Sequence, residues 1–351
     1  MNRLAEAADR PLPRDGGHRV SAIPPVEEGI LEIPGPFLLH HGASLDRVRV
    51  GWRLEGPADA PVVVALGGIS AHRRIYSPTG NREGWWPELS GPGLPLDATR
   101  IRLLGFDFLG GSGVTTGPQD DEPGFPPVSS FDQAALLLRL CDGLGIDRLH
   151  AIVGASYGGM VALAFGSRHP ERVRQLLVIS AAHRTNPLAT AWRSVERETV
   201  RFGLSHGDGA GGLRLARALA MATYRTREEF EQRFGGAPEI EGTRALFPVE
   251  RYLLARGDDY ARRYAPGSFM CLSESIDLHR VEPESISVPT ALVAVPEDQL
   301  VTLAEMRELE SRLAGPRRLY EIHSLYGHDA FLKERAQLEG IFSRVLDSEL
   351  P

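Results

Sequence analysis

Short apolar, β-forming runs alternate with helical stretches along most of this chain, and that alternation restricts it to one fold class. The runs are Val48 to Leu54, Val62 to Leu66, Ile101 to Phe106, Leu149 to Val153, Leu176 to Ile179, Thr290 to Val295 and Leu319 to Ile322. Helical patterns fall between them at Phe131 to Leu144, Gly158 to Ser167 and Leu303 to Leu313, stopped by Gly145, Pro170 and Gly315. Parallel strands need long crossovers, usually helices, so the expected architecture is α/β, a mostly parallel sheet flanked by helices on both faces. The rhythm breaks over 183–279, where Arg-, Glu- and Ala-rich helical segments such as Leu213 to Thr223 and Arg227 to Phe234 occur with no strong strand. That block reads as an inserted helical lid, with Gly207 to Gly212 as a flexible connector inside it. The core is then 36–182 together with 280–351. Residues 1–35, rich in proline and charge without periodicity, read as a flexible arm, with order beginning near Pro36.

Composition removes several function classes. At 351 residues and 42% hydrophobic, the chain can bury a full core. A net charge of −7 with no lysine- or arginine-dense block argues against nucleic acid as a partner. Two distant cysteines, Cys141 and Cys271, offer neither a disulfide framework nor metal-ligand spacing, so no metal site is expected and a reducing compartment is. No apolar run reaches the ~20 residues of a membrane span, and the first residues hold no apolar signal core. A soluble, cytoplasmic protein without membrane contact is the expectation.

The chemistry concentrates at Gly154-Ala155-Ser156-Tyr157-Gly158, directly after one β-like run and directly before a helical one. Strand, sharp turn and helix are the context that makes G-x-S-x-G a nucleophile elbow of the α/β-hydrolase fold, with Ser156 exposed at the strand end. The helix that follows aims its N–H groups and positive dipole end at the same place, which favours an oxyanion. The N–H of Tyr157 and the loop after an early strand, at Gly67 and Gly68, are the expected oxyanion hole.

In this fold the acid and base follow the nucleophile in chain order, on loops after late strands. Asp298 follows the run ending at Val295 and His328 follows the run ending at Ile322; their nearest rivals are Glu297 and His323. Ser156 needs a base to remove its proton, and the base needs a carboxylate to fix its tautomer, so Ser156, Asp298 and His328 form the expected catalytic set.

Several segments together resemble the MetX-type homoserine O-acyltransferases, a branch of the α/β-hydrolases. They are Ser70-Ala71-His72, Gly84-Trp85-Trp86, Leu109 to Gly113, Thr116-Gly117-Pro118, Gly154 to Met160, Ala216-Arg217, Thr223-Tyr224, Arg233-Phe234 and Gly327 to Leu332. The resemblance implies transfer of an acetyl or succinyl group from acyl-CoA, a co-substrate rather than a resident cofactor, to the hydroxyl of homoserine through acyl-Ser156. It likewise implies Arg217 and Tyr224 at the amino acid's carboxylate and hydroxyl region, Asp329 at its ammonium group, and a homodimer formed through the lid. Without it, Arg217 and Tyr224 would read as lid packing. Departures fall at Gly67, where threonine is usual, at Tyr157, where methionine is usual, and at Tyr264 to Phe269. They leave open acetyl or succinyl as the acyl group and homoserine or serine as the acceptor. Arg73 or Arg74 would suit a succinyl carboxylate. A carboxylesterase using the same triad, or a non-catalytic binding module, are the other readings.

Overall fold

The computed structural model describes residues 24–76, 84–118 and 124–347. In chain order the core begins with β1 (Val26–Leu38), β2 (Ser44–Glu55), β3 (Val62–Leu66), β4 (Arg102–Phe106), α1 (Ser130–Leu144), β5 (Ala151–Ala155), α2 (Tyr157–Arg168) and β6 (Leu176–Ile179). A lid block follows, made of α3 (Pro187–Ser205), α4 (Gly209–Tyr224), α5 (Arg227–Phe234), β7 (Glu239–Glu241), β8 (Arg244–Leu246), α6 (Pro248–Ala261) and α7 (Pro266–Asp277). The chain then returns to the core with β9 (Thr290–Ala294), α8 (Leu303–Arg312), β10 (Arg317–Glu321) and α9 (Arg335–Asp347).

Eight strands form one sheet in the order β1-β2-β4-β3-β5-β6-β9-β10. The β1–β2 and β2–β4 pairs are antiparallel, and every pair from β4 to β10 is parallel. The central strands are buried along their whole length, so their sequences read as unbroken apolar runs. Their alternate residues feed two separate cores. Val64, Ile152 and Val178 pack with α1 and α2 on one face. Val63, Val153 and Val293 pack with Trp86 and α9 on the other. Among the described residues, no helix is long and apolar enough to cross a membrane.

Two expectations need correction. Order begins earlier than Pro36, because β1 starts at Val26 and pairs with β2 along its length; residues 1–23 of the expected arm lie outside the described residues. This strand is an edge strand, mostly exposed, and its pattern is interrupted at Pro34 and Pro36, where the register shifts, so it carries little periodic signal. The Gly207 to Gly212 segment is no free connector: α4 starts at Gly209, capped by Asp208, whose carboxylate accepts the Gly211 N–H at 2.8 Å. Glycine serves packing there, since a Cβ on Gly212 would meet the Thr199 carbonyl of α3 at 2.8 Å. The lid holds no strong strand, only a small exposed hairpin, β7–β8, of three residues a side, turned at Gly242 with φ +60° and clamped by Arg251 on Glu239 and Glu241.

This topology sends the loops after β3, β5, β9 and β10 to the carboxyl edge of the sheet, the usual place for a ligand crevice in open α/β sheets. The lid leaves the core after β6 and closes over that edge.

Candidate active site

Ser156 sits between the last residue of β5 and the first of α2 with φ 54° and ψ −123°, a conformation that costs a non-glycine residue of order 1–3 kcal/mol. Its neighbours make the strain possible. A Cβ on Gly154 would strike the Gly158 carbonyl, and one on Gly158 would strike the Leu66 carbonyl, so only glycine lets the elbow fold onto β3. Ser156 N–H is held by the Ile179 carbonyl at 2.9 Å, and the elbow is pinned from both sides.

His328 Nε2 lies 2.8 Å from Ser156 Oγ, and His328 Nδ1 lies 2.7 Å from Asp298 Oδ2. The other oxygen, Asp298 Oδ1, accepts the backbone N–H groups of Leu300 and Val301 at 2.8 and 3.1 Å. With a carboxylate at Nδ1, a neutral ring carries its proton there and presents Nε2 as the acceptor for the serine hydroxyl. Burial works against the imidazolium, but the charge and hydrogen bond of Asp298 outweigh it and hold His328 above the ordinary histidine range. Gly327 turns the chain into this histidine with φ +52°, where a Cβ would strike the Tyr224 carbonyl at 2.7 Å.

The two rivals find each other instead. His323 Nδ1 and Glu297 Oε1 are 2.7 Å apart in an exposed pair. Neither reaches Ser156.

At the expected oxyanion hole, Tyr157 occupies the first position of α2, where an N–H has no acceptor in a preceding turn. Its side chain is buried, with its hydroxyl 2.5 Å from Ser275 Oγ of α7. In the facing loop the structure divides the work. Gly67 stands behind the cavity wall and accepts the Gly158 N–H at 2.9 Å, whereas Gly68 and Ile69 line the cavity beside Ser156. Ile69 was not expected here, because a side chain on a glycine-rich turn carries no sign of which N–H faces inward. The lid fastens this loop: Tyr264 donates to the Ile69 carbonyl at 2.7 Å, and Ser70 donates to the Tyr260 hydroxyl at 3.1 Å.

The cavity over the triad has a volume of about 190 Å³. Its lining includes Arg217, Tyr224 and Asp329, so the three residues expected to hold a zwitterion do converge with Ser156 and His328. Arg217 donates to the Tyr224 hydroxyl at 3.3 Å and its guanidinium lies over the Tyr260 ring, 4.7 Å from the centroid. Burial disfavours the Arg217 charge, yet the surrounding Tyr224, Tyr260, Asp329 and Glu196 keep it firmly protonated. Asp329 is not a free carboxylate: Arg225 Nη2 pairs with it at 3.0 Å, and the same guanidinium reaches Glu229 at 3.2 Å. Neither Arg225 nor Glu196 stands out in the sequence, as each is one charged residue among many in helical segments.

Arg73 and Arg74, readable from the sequence as partners of a succinyl carboxylate or equally as solvated surface arginines, take no part in the cavity wall. Arg73 is held by Asp107 at 2.6 Å and Glu28 at 3.0 Å, and Arg74 reaches Glu28 at 3.4 Å. The cations on the wall besides Arg217 are Arg184 and Arg193. Among the described residues no group of three or more His, Cys, Asp or Glu could hold a metal ion, and both cysteines are free thiols.

Residues 61–334 match the family model described as alpha/beta hydrolase fold. The chain is 43% identical over 328 residues to a homoserine O-succinyltransferase of Xanthomonas campestris pv. campestris, covering 93% of this chain and 85% of that protein. It is 32% identical to a serine O-succinyltransferase of Litchfieldella anticariensis, over 86% of this chain and 93% of the relative. Among solved structures, a homoserine O-acetyltransferase from Bacillus anthracis superimposes with a TM-score of 0.82 at 21% identity, covering 94% of this chain and 100% of that one.

Proposed function

The chain belongs to the homoserine O-acyltransferases of the α/β-hydrolase fold, and from that premise we propose that it moves a succinyl group from succinyl-CoA to the side-chain hydroxyl of homoserine through an acyl-Ser156 intermediate. The observation that carries this reading is the hydrogen-bonded series Ser156, His328, Asp298 opening into a cavity that Arg217 also lines. A hydrolase needs the triad alone. A half-buried guanidinium in the same cavity suits an acceptor that brings its own carboxylate.

In the first half-reaction Ser156 Oγ attacks the thioester carbonyl while His328 Nε2 takes its proton. The carbonyl becomes an oxyanion, met by the N–H groups of Tyr157 and of the Gly68–Ile69 loop. Collapse breaks the C–S bond, and the proton on His328 passes to the departing sulfur. In the second half, the acceptor hydroxyl gives its proton to His328 and attacks the acyl-serine, and Ser156 leaves with that proton. Asp298 stays ionised and stabilises the imidazolium in both halves. Water is the competing acceptor, and the lid helices over the cavity exclude it.

Succinyl as the acyl group is supported by the 43% identical relative and by Arg184 on the wall, whose side chain is half-exposed. The inner cavity shares Trp85, Arg217, Asp329 and Leu332 with neighbouring clefts, one of which, about 660 Å³, is lined by Arg233, Arg256, Arg263 and Lys333 and opposed by Glu88, Glu229 and Asp259. That basic cleft suits the phosphates of the CoA. Serine as the acceptor is the second reading, favoured by the 32% identical relative.

A homodimer through the lid is part of the proposal. On α3, Leu188, Val195 and Phe202 recur every seven residues and are 58%, 56% and 67% exposed, an apolar stripe along one helical face.

CoA release, followed with a thiol reagent, tests the reaction with acetyl-CoA and succinyl-CoA, each with homoserine, serine or no acceptor. Homoserine-dependent release from succinyl-CoA, absent in Ser156→Ala, is the expected result. Release indifferent to any acceptor hydroxyl would overturn the transferase in favour of a hydrolase.

A further inference from the structure

One carboxyl group in the cavity has no part in the reaction just described. Glu196, on α3, is 4% exposed and lines the same cavity as Ser156 and Arg217. Among the described residues no hydrogen bond or ion pair ends on it, and its interactions with Arg193, Arg217 and Arg197 act only through space. Two of those cations are already committed, because Arg193 and Arg197 both bond Asp277 of α7, at 2.6 and 2.7 Å. Its carboxyl oxygens are not sealed in protein: they keep solvent contact where the residue lines the cavity, so a donor that enters the cavity can reach them.

Its surroundings limit what that partner is. Arg197 and Arg193 of α3, Arg217 and Tyr224 of α4, Tyr260 of α6 and Asp277 of α7 are the charged and titratable groups that act on Glu196 or feel it. Arg217 thus lines the cavity together with two carboxyl groups, Glu196 and Asp329, both of which raise its basicity. Asp329 is bonded to Arg225, and Glu196 is not bonded. An amino acid whose carboxylate docks on Arg217 brings an ammonium group with three donors into that neighbourhood. Burial pushes Glu196 up to about 7, against the pull of Arg193, Arg217 and Arg197, and an arriving cation would draw it back to the ionised form.

We propose that Glu196 is a specificity-determining residue that receives the α-ammonium group of the acceptor amino acid, sharing it with Asp329 across the carboxylate site at Arg217. This rests on the acyl-transfer reading. The acceptor is selected as a zwitterion by two carboxyl groups around one guanidinium, and a γ-hydroxy acid lacking the amine leaves Glu196 buried and unpaired.

The test compares wild type with Glu196→Gln, close in shape, and Glu196→Asp. The substrates are homoserine and 4-hydroxybutanoate, the same molecule without its amine. Expected is a tenfold or greater rise in the homoserine KM of Glu196→Gln, a matching collapse of the kcat/KM preference for homoserine over 4-hydroxybutanoate, and partial recovery in Glu196→Asp. The acyl-CoA KM and the burst of CoA released on acylation should stay at wild-type level, which also shows that the variant is folded. An unchanged preference overturns the proposal alone, as does an effect confined to the acyl-CoA KM, which would place Glu196 at the acyl chain. Absence of acceptor-dependent turnover in wild type would overturn the acyl-transfer reading and this proposal with it.

Discussion

Asp298→Asn is the most informative single change, because the two oxygens of Asp298 have different partners. Oδ1 accepts two backbone N–H groups, from Leu300 and Val301, whereas Oδ2 accepts one, from His328 Nδ1. An asparagine must keep its carbonyl oxygen at the first position, since its NH₂ there would face two donors. The NH₂ group therefore faces His328 Nδ1, the ring moves its proton to Nε2, and the atom 2.8 Å from Ser156 Oγ becomes a donor that cannot accept the serine proton. The wrong tautomer in such triads costs about 10,000-fold in kcat, or about 5 kcal/mol at ~1.4 kcal/mol per decade. The backbone bonds survive, so the thermal midpoint should barely move. The assay is the CoA-release burst with acyl-CoA alone, run beside a thermal melt. If Asp298→Asn keeps more than a tenth of the wild-type acylation rate while folded, the tautomer argument is wrong.

Three further outcomes follow from the same geometry. His328 must be neutral to act as base and Asp298 holds its pKa above the ordinary value, so kcat/KM should fall as pH drops through a limb lying above about 6.5; a limb at or below that value in a pH-rate profile would contradict the pairing. Gly158→Ala should destabilise the fold by about 1–3 kcal/mol, read in denaturant titration, because the new Cβ meets the Leu66 carbonyl of β3 rather than a yielding side chain; wild-type stability would show that the elbow has slack. Phe202→Glu should convert a dimer to a monomer in sedimentation velocity, since it sets a charge on the α3 stripe; a wild type that is already monomeric would remove the dimer proposal.

The α/β class is legible in the sequence because strands buried on both faces must be apolar throughout, and Val62–Leu66 and Leu176–Ile179 fall where their runs do. The elbow is legible for a similar local reason: glycines at 154 and 158 answer to neighbours within a few residues and to the adjoining β3. Edge strand β1 is not, because an exposed strand lacks the burial that makes a periodic signal.

What the tertiary structure alone decided is pairing between residues far apart in the chain. Sequence order favoured Asp298 over Glu297 and His328 over His323, without saying which bonds any of the four would make. Loop geometry separated them by sending one pair inward to Ser156 and the other outward to water. Docking of the lid onto the sheet edge determined that Arg225 takes Asp329 and that Glu196 of α3, without a hydrogen-bond partner among the described residues, lines the same cavity as Arg217, while the placing of β1 at the sheet edge gave Arg73 and Arg74 to Glu28. Local periodicity reports which side of an element is buried; it carries no information about which buried charges meet, because that depends on how separate elements are placed in space.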